Sequence, residues 1–442
     1  MTPTFLATVL STLIGYSQLA GAELRCLAST IRPARGKPVR VGLIVRDFAP
    51  AITGGVYRPA ALARHLVQAG MEVEVLAVTG PETPTPAGLQ LLAQIGSAVV
   101  IHRIPESTRV TSYRLFPRVD GGLLNAIGIF EHARKFWRRD PPQIVIASGP
   151  PFHTFIAGYH LARYLGSKLI LDYRDEWSLN PFEFVRKEPQ DREWEARCLA
   201  RADLVTVTTV SQRDLLDETY GGTLTPKCEV IANGWESEGE PFRPAVEPHR
   251  DKRALLLFAG KLGGHTDPER FLGALASILR EHPGLEGRLV VRFVGNKTQA
   301  TQDALARFPF PGVVESHPLV PLHEVQAMMG AADALLLFHD ERFERYLPGK
   351  LYEYLAARRP VLLLDDQGES TRLVQSLKAG WSVQSSDVAA IHAMVLNVLE
   401  LKSKREQEGQ PENPALDLWL QANTRARMAA RFQEQIERLL GQ

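Results

Sequence analysis

Residues 172–177 read Asp172-Tyr173-Arg174-Asp175-Glu176-Trp177. Acids, a base and aromatics crowded together are costly in a core and useful in a polar site. Either Asp175 and Arg174 serve turnover there, or they form a pair that fixes a loop. His153 ends Ser148-Gly149-Pro150-Pro151-Phe152-His153 and is either a working imidazole or a polar residue opening a helix. Asp47 is followed by Thr53-Gly54-Gly55. A glycine pair ahead of a helix lets backbone amides approach an anion, although a plain tight turn uses the same residues.

In the second half, Gly260-Lys261-Leu262-Gly263-Gly264-His265 joins glycines to one lysine. Such a loop suits a phosphate, since the ammonium is a point charge and the glycines expose N–H groups. A solvated lysine on a turn is the alternative. Pro348-Gly349-Lys350-Leu351-Tyr352-Glu353 opens a helix whose free N–H groups can hold a diphosphate. Glu353 lies about one turn in, where it can accept hydrogen bonds from a vicinal diol or stand as a surface acid. GxGxxG is missing after the first strand and no GxxxxGK(S/T) occurs, which disfavours nicotinamide dehydrogenases and P-loop enzymes. Asp365-Asp366 precedes Gln367-Gly368 and reads as a turn, so no metal site is expected.

These stretches need elements to hold them. Short β-branched runs at 39–45, 72–78, 98–104, 143–147, 168–172 and 204–208 alternate with helical patterns at 57–69, 123–138 and 152–165. Such alternation predicts a parallel sheet with helices on both faces. Residues 233–253 hold prolines, glycines and charges without an apolar period and read as a linker. A second series has strands near 254–259, 288–294, 333–339 and 360–364, and helices near 268–281, 322–331, 350–357 and 370–379. One long helical pattern over 416–440 closes the chain. The expected domains are an N-terminal segment 1–38, a first α/β domain 39–235, a linker 236–253, a second α/β domain 254–415 and a C-terminal helix 416–442. Two doubly wound domains predict a central cleft, with ligands beyond the carboxyl ends of the strands.

The 442 residues are 45% hydrophobic and 23% charged, enough for a large core and against disorder. A net charge of +1 lacks the basic excess of a dedicated nucleic-acid binder. Cys26, Cys198 and Cys228 make no CxxC pair, which argues against a disulfide framework or a cysteine zinc site and suits a cytosolic setting.

Residues 2–22 carry no charge, and Phe5, Leu6, Val9, Leu10, Leu13 and Ile14 recur at helical spacing. The apolar part is shorter than the ~20 residues of a membrane span. Arg25 follows the apolar run, the reverse of a signal peptide, although Ala20-Gly21-Ala22 resembles a cleavage site. The segment reads as an interfacial helix or an unstructured extension. A second membrane candidate is the helix over 123–138, which ends in Arg134-Lys135-Phe136-Trp137-Arg138-Arg139. Its aromatics sit either at a bilayer or in the core.

Taken together, Ser148-Gly149-Pro150-Pro151, residues 171–177, Val-Ile-Ala-Asn-Gly at 230–234 and residues 348–360 resemble the retaining glycosyltransferases of family 4, over about residues 39–390. The resemblance implies GT-B architecture, two doubly wound Rossmann-like domains facing a central cleft with a C-terminal helix. It implies a UDP- or GDP-sugar donor as substrate, no further cofactor, no metal, and a glycan or lipid-linked acceptor. Lys261 falls at the diphosphate-binding position and Glu353 at the acid that holds the ribose, while Gly349, Lys350 and Leu351 give phosphate-facing backbone. Gly54, Gly55, Gly260 and His265 join the donor set, and Lys261, Asp175 and His153 are the catalytic candidates. Two positions depart. Arg345 stands where an acid is usual, eight residues before Glu353, and His265-Thr266-Asp267 lacks a second lysine or arginine. The expected function is retaining sugar transfer in polysaccharide or glycoconjugate biosynthesis, in the cytoplasm at the inner face of the membrane, with no nucleic-acid partner. The alternatives are a non-catalytic scaffold subunit of a glycan-assembly complex, which Arg345 favours, and a sugar-nucleotide epimerase.

Overall fold

The computed structural model describes the chain except residues 1–2, 35, 37, 79–83, 108, 110, 113–114, 183–184, 237–251, 265, 321, 410 and 442. Most of the expected linker therefore lies outside the described residues. The chain forms two units, Met1–Ala232 with Arg425–Gln442, and Asn233–Thr424.

The first unit holds strands β1 (Arg40–Val45), β2 (Glu72–Val78), β3 (Val100–Ile104), β4 (Ile144–Gly149), β5 (Lys168–Tyr173), β6 (Leu204–Val207) and β7 (Cys228–Val230). Its helices are α1 (Pro3–Ala28), α2 (Tyr57–Gln68), α3 (Pro86–Ile95), α4 (Leu123–Trp137), α5 (His153–Leu165), α6 (Asp191–Arg201) and α7 (Val210–Thr219). The strands are parallel in the order β3-β2-β1-β4-β5-β6-β7. β4 is buried along its whole length, which is why it reads as a continuous apolar run rather than an alternating one. One sheet face packs Ile127 and Phe130 of α4 and Phe155 and Leu161 of α5. The other packs Ala60 and Leu62 of α2 against Leu43, Ile146 and Phe432. Strand order turns back between β1 and β4, and the loops after those strands are where this topology forms a ligand crevice.

α1 is a built part of this unit, so the reading as an unstructured extension falls. It packs on α4 and α5. A Cβ on Gly15 would lie 2.6 Å from the Phe116 ring, so glycine permits the close approach. Glu23 accepts from Arg163 at 2.6 Å and bonds His160 at 3.1 Å. The aromatics ending α4 are core: Trp137 is buried, fills the space over Gly42 and donates from Nε1 to Glu74 at 3.0 Å. Phe136 stacks on His102 at 4.2 Å.

The second unit holds β8 (Ala254–Ala259), β9 (Leu289–Val294), β10 (Val314–His317), β11 (Ala334–Phe338), β12 (Val361–Leu364) and β13 (Gly380–Ser382). Its helices are α8 (Glu269–Glu281), α9 (Gln299–Ala306), α10 (Leu322–Ala331), α11 (Gly349–Ala356), α12 (Gly368–Ser376), α13 (Val388–Glu408) and α14 (Pro414–Ala422). The parallel order β10-β9-β8-β11-β12-β13 turns back between β8 and β11. The single helix expected over 416–440 is broken at Asn423-Thr424. There the Asn423 carbonyl accepts from Trp235 N at 3.1 Å and the Leu420 carbonyl from Trp235 Nε1 at 2.9 Å. The remainder, α15 (Arg425–Leu440), packs on α2 in the first unit through Met428, Phe432 and Ile436.

Candidate functional site

At the carboxyl edge of the first sheet, Asp172 is a buried hub. It accepts from Arg58 Nη2 at 2.9 Å, Ser148 Oγ at 2.8 Å and Thr206 Oγ1 at 2.8 Å. Burial pushes the Asp172 carboxyl up, but the Arg58 guanidinium and the two hydroxyls outweigh it and hold the group below its ordinary value. Arg58 also donates to the Ile231 and Ala232 carbonyls at 2.9 and 3.2 Å. Arg174 leaves the same strand end and ties three loops through the carbonyls of Gly55 at 2.9 Å, Gly149 at 3.1 Å and Pro150. A Cβ on Gly55 would stand 2.2 Å from Arg174 Nη1, so this grip requires the glycine. Gly54 is exposed, with no described residue within 4 Å of where its Cβ would be, and α2 begins behind it with no side-chain cap among the described residues.

Asp175 is half-buried. Burial raises its carboxyl, Arg174 opposes that, and no hydrogen bond to it is seen among the described residues. His153 opens α5 but is only 1% exposed. Its ring lies beneath Gly121, where a Cβ would be 1.8 Å from Nδ1, and neither ring nitrogen has a hydrogen-bond partner among the described residues. Burial, with Arg46 adding to it, pushes the imidazole down to about 3, so it is neutral at pH 7. Asp120, beside Gly121, accepts from Phe152 N at 2.6 Å and thereby fixes the start of α5. Next to it a cavity of about 350 Å³ is lined by Arg109, Arg118, Asn125, Arg186 and Glu188.

In the second unit, β8 ends in Gly260, whose φ of +142° only glycine adopts readily. The loop that follows is stitched to the one after β9, with Leu262 N donating to Asn296 O at 2.9 Å and Thr298 N to Leu262 O at 3.1 Å. Lys261 projects from it, exposed and without an acidic partner among the described residues. Lys350, the second residue of α11, is half-buried with Nζ 4.3 Å from the centre of the Phe258 ring, and a Cβ on Gly260 would lie 3.1 Å from it. No acid pairs with it among the described residues, and burial lowers its ammonium to about 8. Tyr354 pins α11 to the strand end, its hydroxyl accepting from Ala259 N at 2.9 Å. Pro348 caps α11 with no side-chain hydrogen bond, which leaves the amides ahead of Leu351 free to face an anion. Glu353 is half-buried one turn in, and Arg345 lies 3.7 Å from Glu344. A cavity of about 830 Å³ opens beyond β9 and β10, lined by Gly295, Asn296, Lys297, Ser316 and His317. Lys297 closes its floor, donating to Gly295 O at 2.8 Å and His317 O at 2.6 Å.

Of the residues singled out by sequence, Gly260, Lys261, Gly349, Lys350, Leu351 and Glu353 meet around the end of β8 and the start of α11. Gly54, Gly55, Asp175 and His153 belong to the first unit, and His265 lies outside the described residues. Sequence reasoning missed Arg58, Tyr354 and the Lys350 ammonium. A signal for Arg58 existed: it is the one charge in the buried run Arg58-Pro59-Ala60-Ala61-Leu62-Ala63.

Residues 53–234 match the sequence model of the glycosyl transferase 4-like domain, and residues 240–411 that of glycosyl transferases group 1. No curated protein matches the chain significantly by sequence. Among solved structures, a glycosyltransferase from Rickettsia africae superimposes with a TM-score of 0.66 at 12% identity, covering 92% of this chain and 99% of that one. HepE from Anabaena, in complex with UDP-glucose, gives 0.62 at 13% identity over 90% of this chain and 99% of its own. The lipopolysaccharide outer core galactosyltransferase WaaB gives 0.61 at 14% over 90% and 99%. At such identities the likeness shows the fold, and the fold is GT-B.

Proposed function

Because the chain belongs to the GT-B glycosyltransferases, with a 4-like first domain and a group 1 second domain, we propose that it moves a sugar from a nucleoside-diphosphate sugar to a glycan or lipid-linked acceptor with retention, without a metal. The observation that carries this reading is the uncompensated positive edge of the second unit. Lys261 and Lys350 have no acidic partner among the described residues, and they stand beside the uncapped start of α11. Cations and helix amides gathered without an anion suit a diphosphate. Glu353, one turn in, would hold the ribose diol, and the cavity beyond β9 and β10 would take the base. HepE, of the same fold, was crystallised with UDP-glucose, which supports a uridine donor.

The chemistry assigned to these residues is electrostatic. Lys261, the Lys350 ammonium and the amides of Gly349 and Lys350 would stabilise the leaving diphosphate. The donor phosphate would take the acceptor proton on the face it leaves, so retention would need no protein nucleophile. Asp175, a carboxyl group just past a strand end with no hydrogen bond among the described residues, would orient the acceptor, and neutral His153 would shape the loop at Gly121. We assign the work to the cytoplasm, at the inner face of the membrane where lipid-linked acceptors lie, in polysaccharide or glycoconjugate synthesis.

Titration calorimetry with UDP, GDP and uridine tests the donor site. Lys261→Ala is expected to weaken diphosphate binding roughly tenfold or more, the worth of a charge-assisted contact, and to leave uridine binding alone; equal loss for both would sink the assignment. Asp175→Asn is expected to lower turnover per folded molecule without moving the melting temperature. Arg345 in place of an acid favours the scaffold reading, and a panel of donors with mass-spectrometric product detection separates the two, because a scaffold forms no product with any donor.

A further inference from the structure

The outer face of α1 is apolar. Leu10, Leu13, Leu24 and Leu27 are 58%, 61%, 65% and 73% exposed. On a helical wheel they fall with Ser17 and Ala20 on one side, opposite buried Thr12, Gly15, Ala22 and Cys26. Apart from Ser17, that face carries no polar side chain, and Thr12, Tyr16, Gln18, Glu23 and Arg25 are engaged elsewhere. Thr12 donates to Thr8 O at 2.7 Å, Tyr16 to Leu115 O at 2.5 Å, and Gln18 accepts from Arg109 at 3.3 Å. Glu23 holds Arg163 and His160, and Arg25 pairs with Glu131 at 3.0 Å. Single exposed leucines are ordinary; a row of them along one helix is an interaction surface.

Two further observations choose the partner. Among the described residues no helix is long and apolar enough to cross a membrane, so this face suits lying on a surface rather than spanning one. Beside α1 runs α4, whose end carries Lys135, Arg138 and Arg139, all exposed and without an acidic partner among the described residues, and Arg32 stands exposed just past α1. Unpaired cations bordering an uncharged apolar stripe complement an anionic bilayer.

We infer that the outer face of α1 lies in the interface of an anionic lipid bilayer, with Leu10, Leu13, Leu24 and Leu27 among the acyl chains and Arg32, Lys135, Arg138 and Arg139 at the headgroups. This rests on the membrane part of the function proposed above and gives it a surface; it does not need the sugar transfer. The aromatics ending α4 have no share in it, since Trp137 is buried and Phe136 is half-buried, stacked on His102.

Flotation of the full chain with phosphatidylcholine vesicles, with and without a third of phosphatidylglycerol, tests the inference. The protein is expected to float only with the anionic vesicles and to come off as salt rises. Leu13→Glu with Leu24→Glu should lower the partition coefficient about tenfold or more, and Lys135→Glu with Arg138→Glu severalfold. Both variants should keep the wild-type melting temperature and UDP affinity, because these side chains face outward. The inference is overturned if the wild type fails to float at low salt, or if Leu13→Glu with Leu24→Glu floats undiminished. It is also overturned if light scattering shows a wild-type dimer that this variant splits, since a second copy then covers the face. Loss of flotation with UDP binding intact refutes the membrane face alone; absent UDP binding with flotation as expected refutes the donor site alone.

Discussion

The two sheets end in loops of the same topological kind and treat charge in opposite ways. At the first, Arg58 is matched by Asp172 and three loops hang on Arg174 through carbonyl acceptors. At the second, Lys261 and Lys350 have no acid opposite them among the described residues. A charge with its partner built in organises a fold, whereas one without is kept for something that arrives. The first edge is thus a polar framework closed on itself, and under the function proposed above the second would receive an anion.

Removing charge should therefore have opposite consequences at the two edges, most strongly at the first. Asp172→Ala leaves the Arg58 guanidinium buried beside Ser148 and Thr206 without its counter-charge. Breaking a buried pair in this way costs about 3–5 kcal/mol, read as a lower denaturant midpoint. A midpoint unchanged in Asp172→Ala would break the comparison. Lys350→Met should show the reverse pattern. An apolar side chain of similar length over Phe258 loses no ion pair, so stability is expected to hold or rise. The diphosphate loses a charge-assisted contact of about 1.5–3 kcal/mol, a tenfold or larger rise in Kd by calorimetry. If Lys350→Met unfolds the protein instead, the lysine is structural and the two edges are alike.

His153 sharpens the first half of the comparison through pH. In an unfolded chain it titrates near 6.5, while burial, aided by Arg46, holds it at about 3 in the fold. Below pH 6.5 the unfolded chain takes up a proton that the folded chain refuses. Its contribution is therefore full above pH 6.5 and is lost as pH falls toward 3, at up to roughly 1.4 kcal/mol per pH unit. Between pH 7 and 5 the denaturation midpoint of the wild type should fall relative to that of His153→Leu. Parallel curves would mean that the imidazole is hydrated and protonated in the fold.

Much of this was legible in sequence, and the parts that were not have a common cause. Strands buried on both faces, such as β4 and β8, announce themselves as apolar runs, and glycine loops mark the carboxyl edges. β7, β10 and β13 went unread because they are three or four residues long with polar positions among them, as suits sheet edges. The break at Asn423-Thr424 was hidden because apolar periodicity continues across it; the stop comes from Trp235, far away in sequence. Lys261 could be chosen by its glycines. Lys350 stood in the motif only as backbone, and its ammonium gains meaning from Phe258 and Gly260, which sequence spacing does not bring near it. Arg58 likewise becomes intelligible only once β5 delivers Asp172.

The smallest effect expected is the uptake of a proton at the second edge. Burial brings the Lys350 ammonium from 10.5 down to about 8. Among the described residues no acid faces it; Phe258 and the Gly260 backbone do. A docked diphosphate favours the charged form and pulls the group back up. Near pH 8 the free protein has about half of its Lys350 neutral, so binding should draw in about half a proton, and near pH 7 only about a tenth. UDP affinity should consequently weaken as pH rises through 8, because more of the free protein must first be protonated. Calorimetry at pH 8 in two buffers of different ionisation enthalpy reads the uptake directly. Lys350→Arg, a cation that stays charged, should bind without uptake and flatten the pH profile. Lys261→Ala should weaken binding and leave the uptake in place, since that side chain is exposed and separate. Wild-type binding with no proton exchanged at pH 8 would place the diphosphate away from Lys350 and leave Lys261 as the only lysine of the pair that meets it.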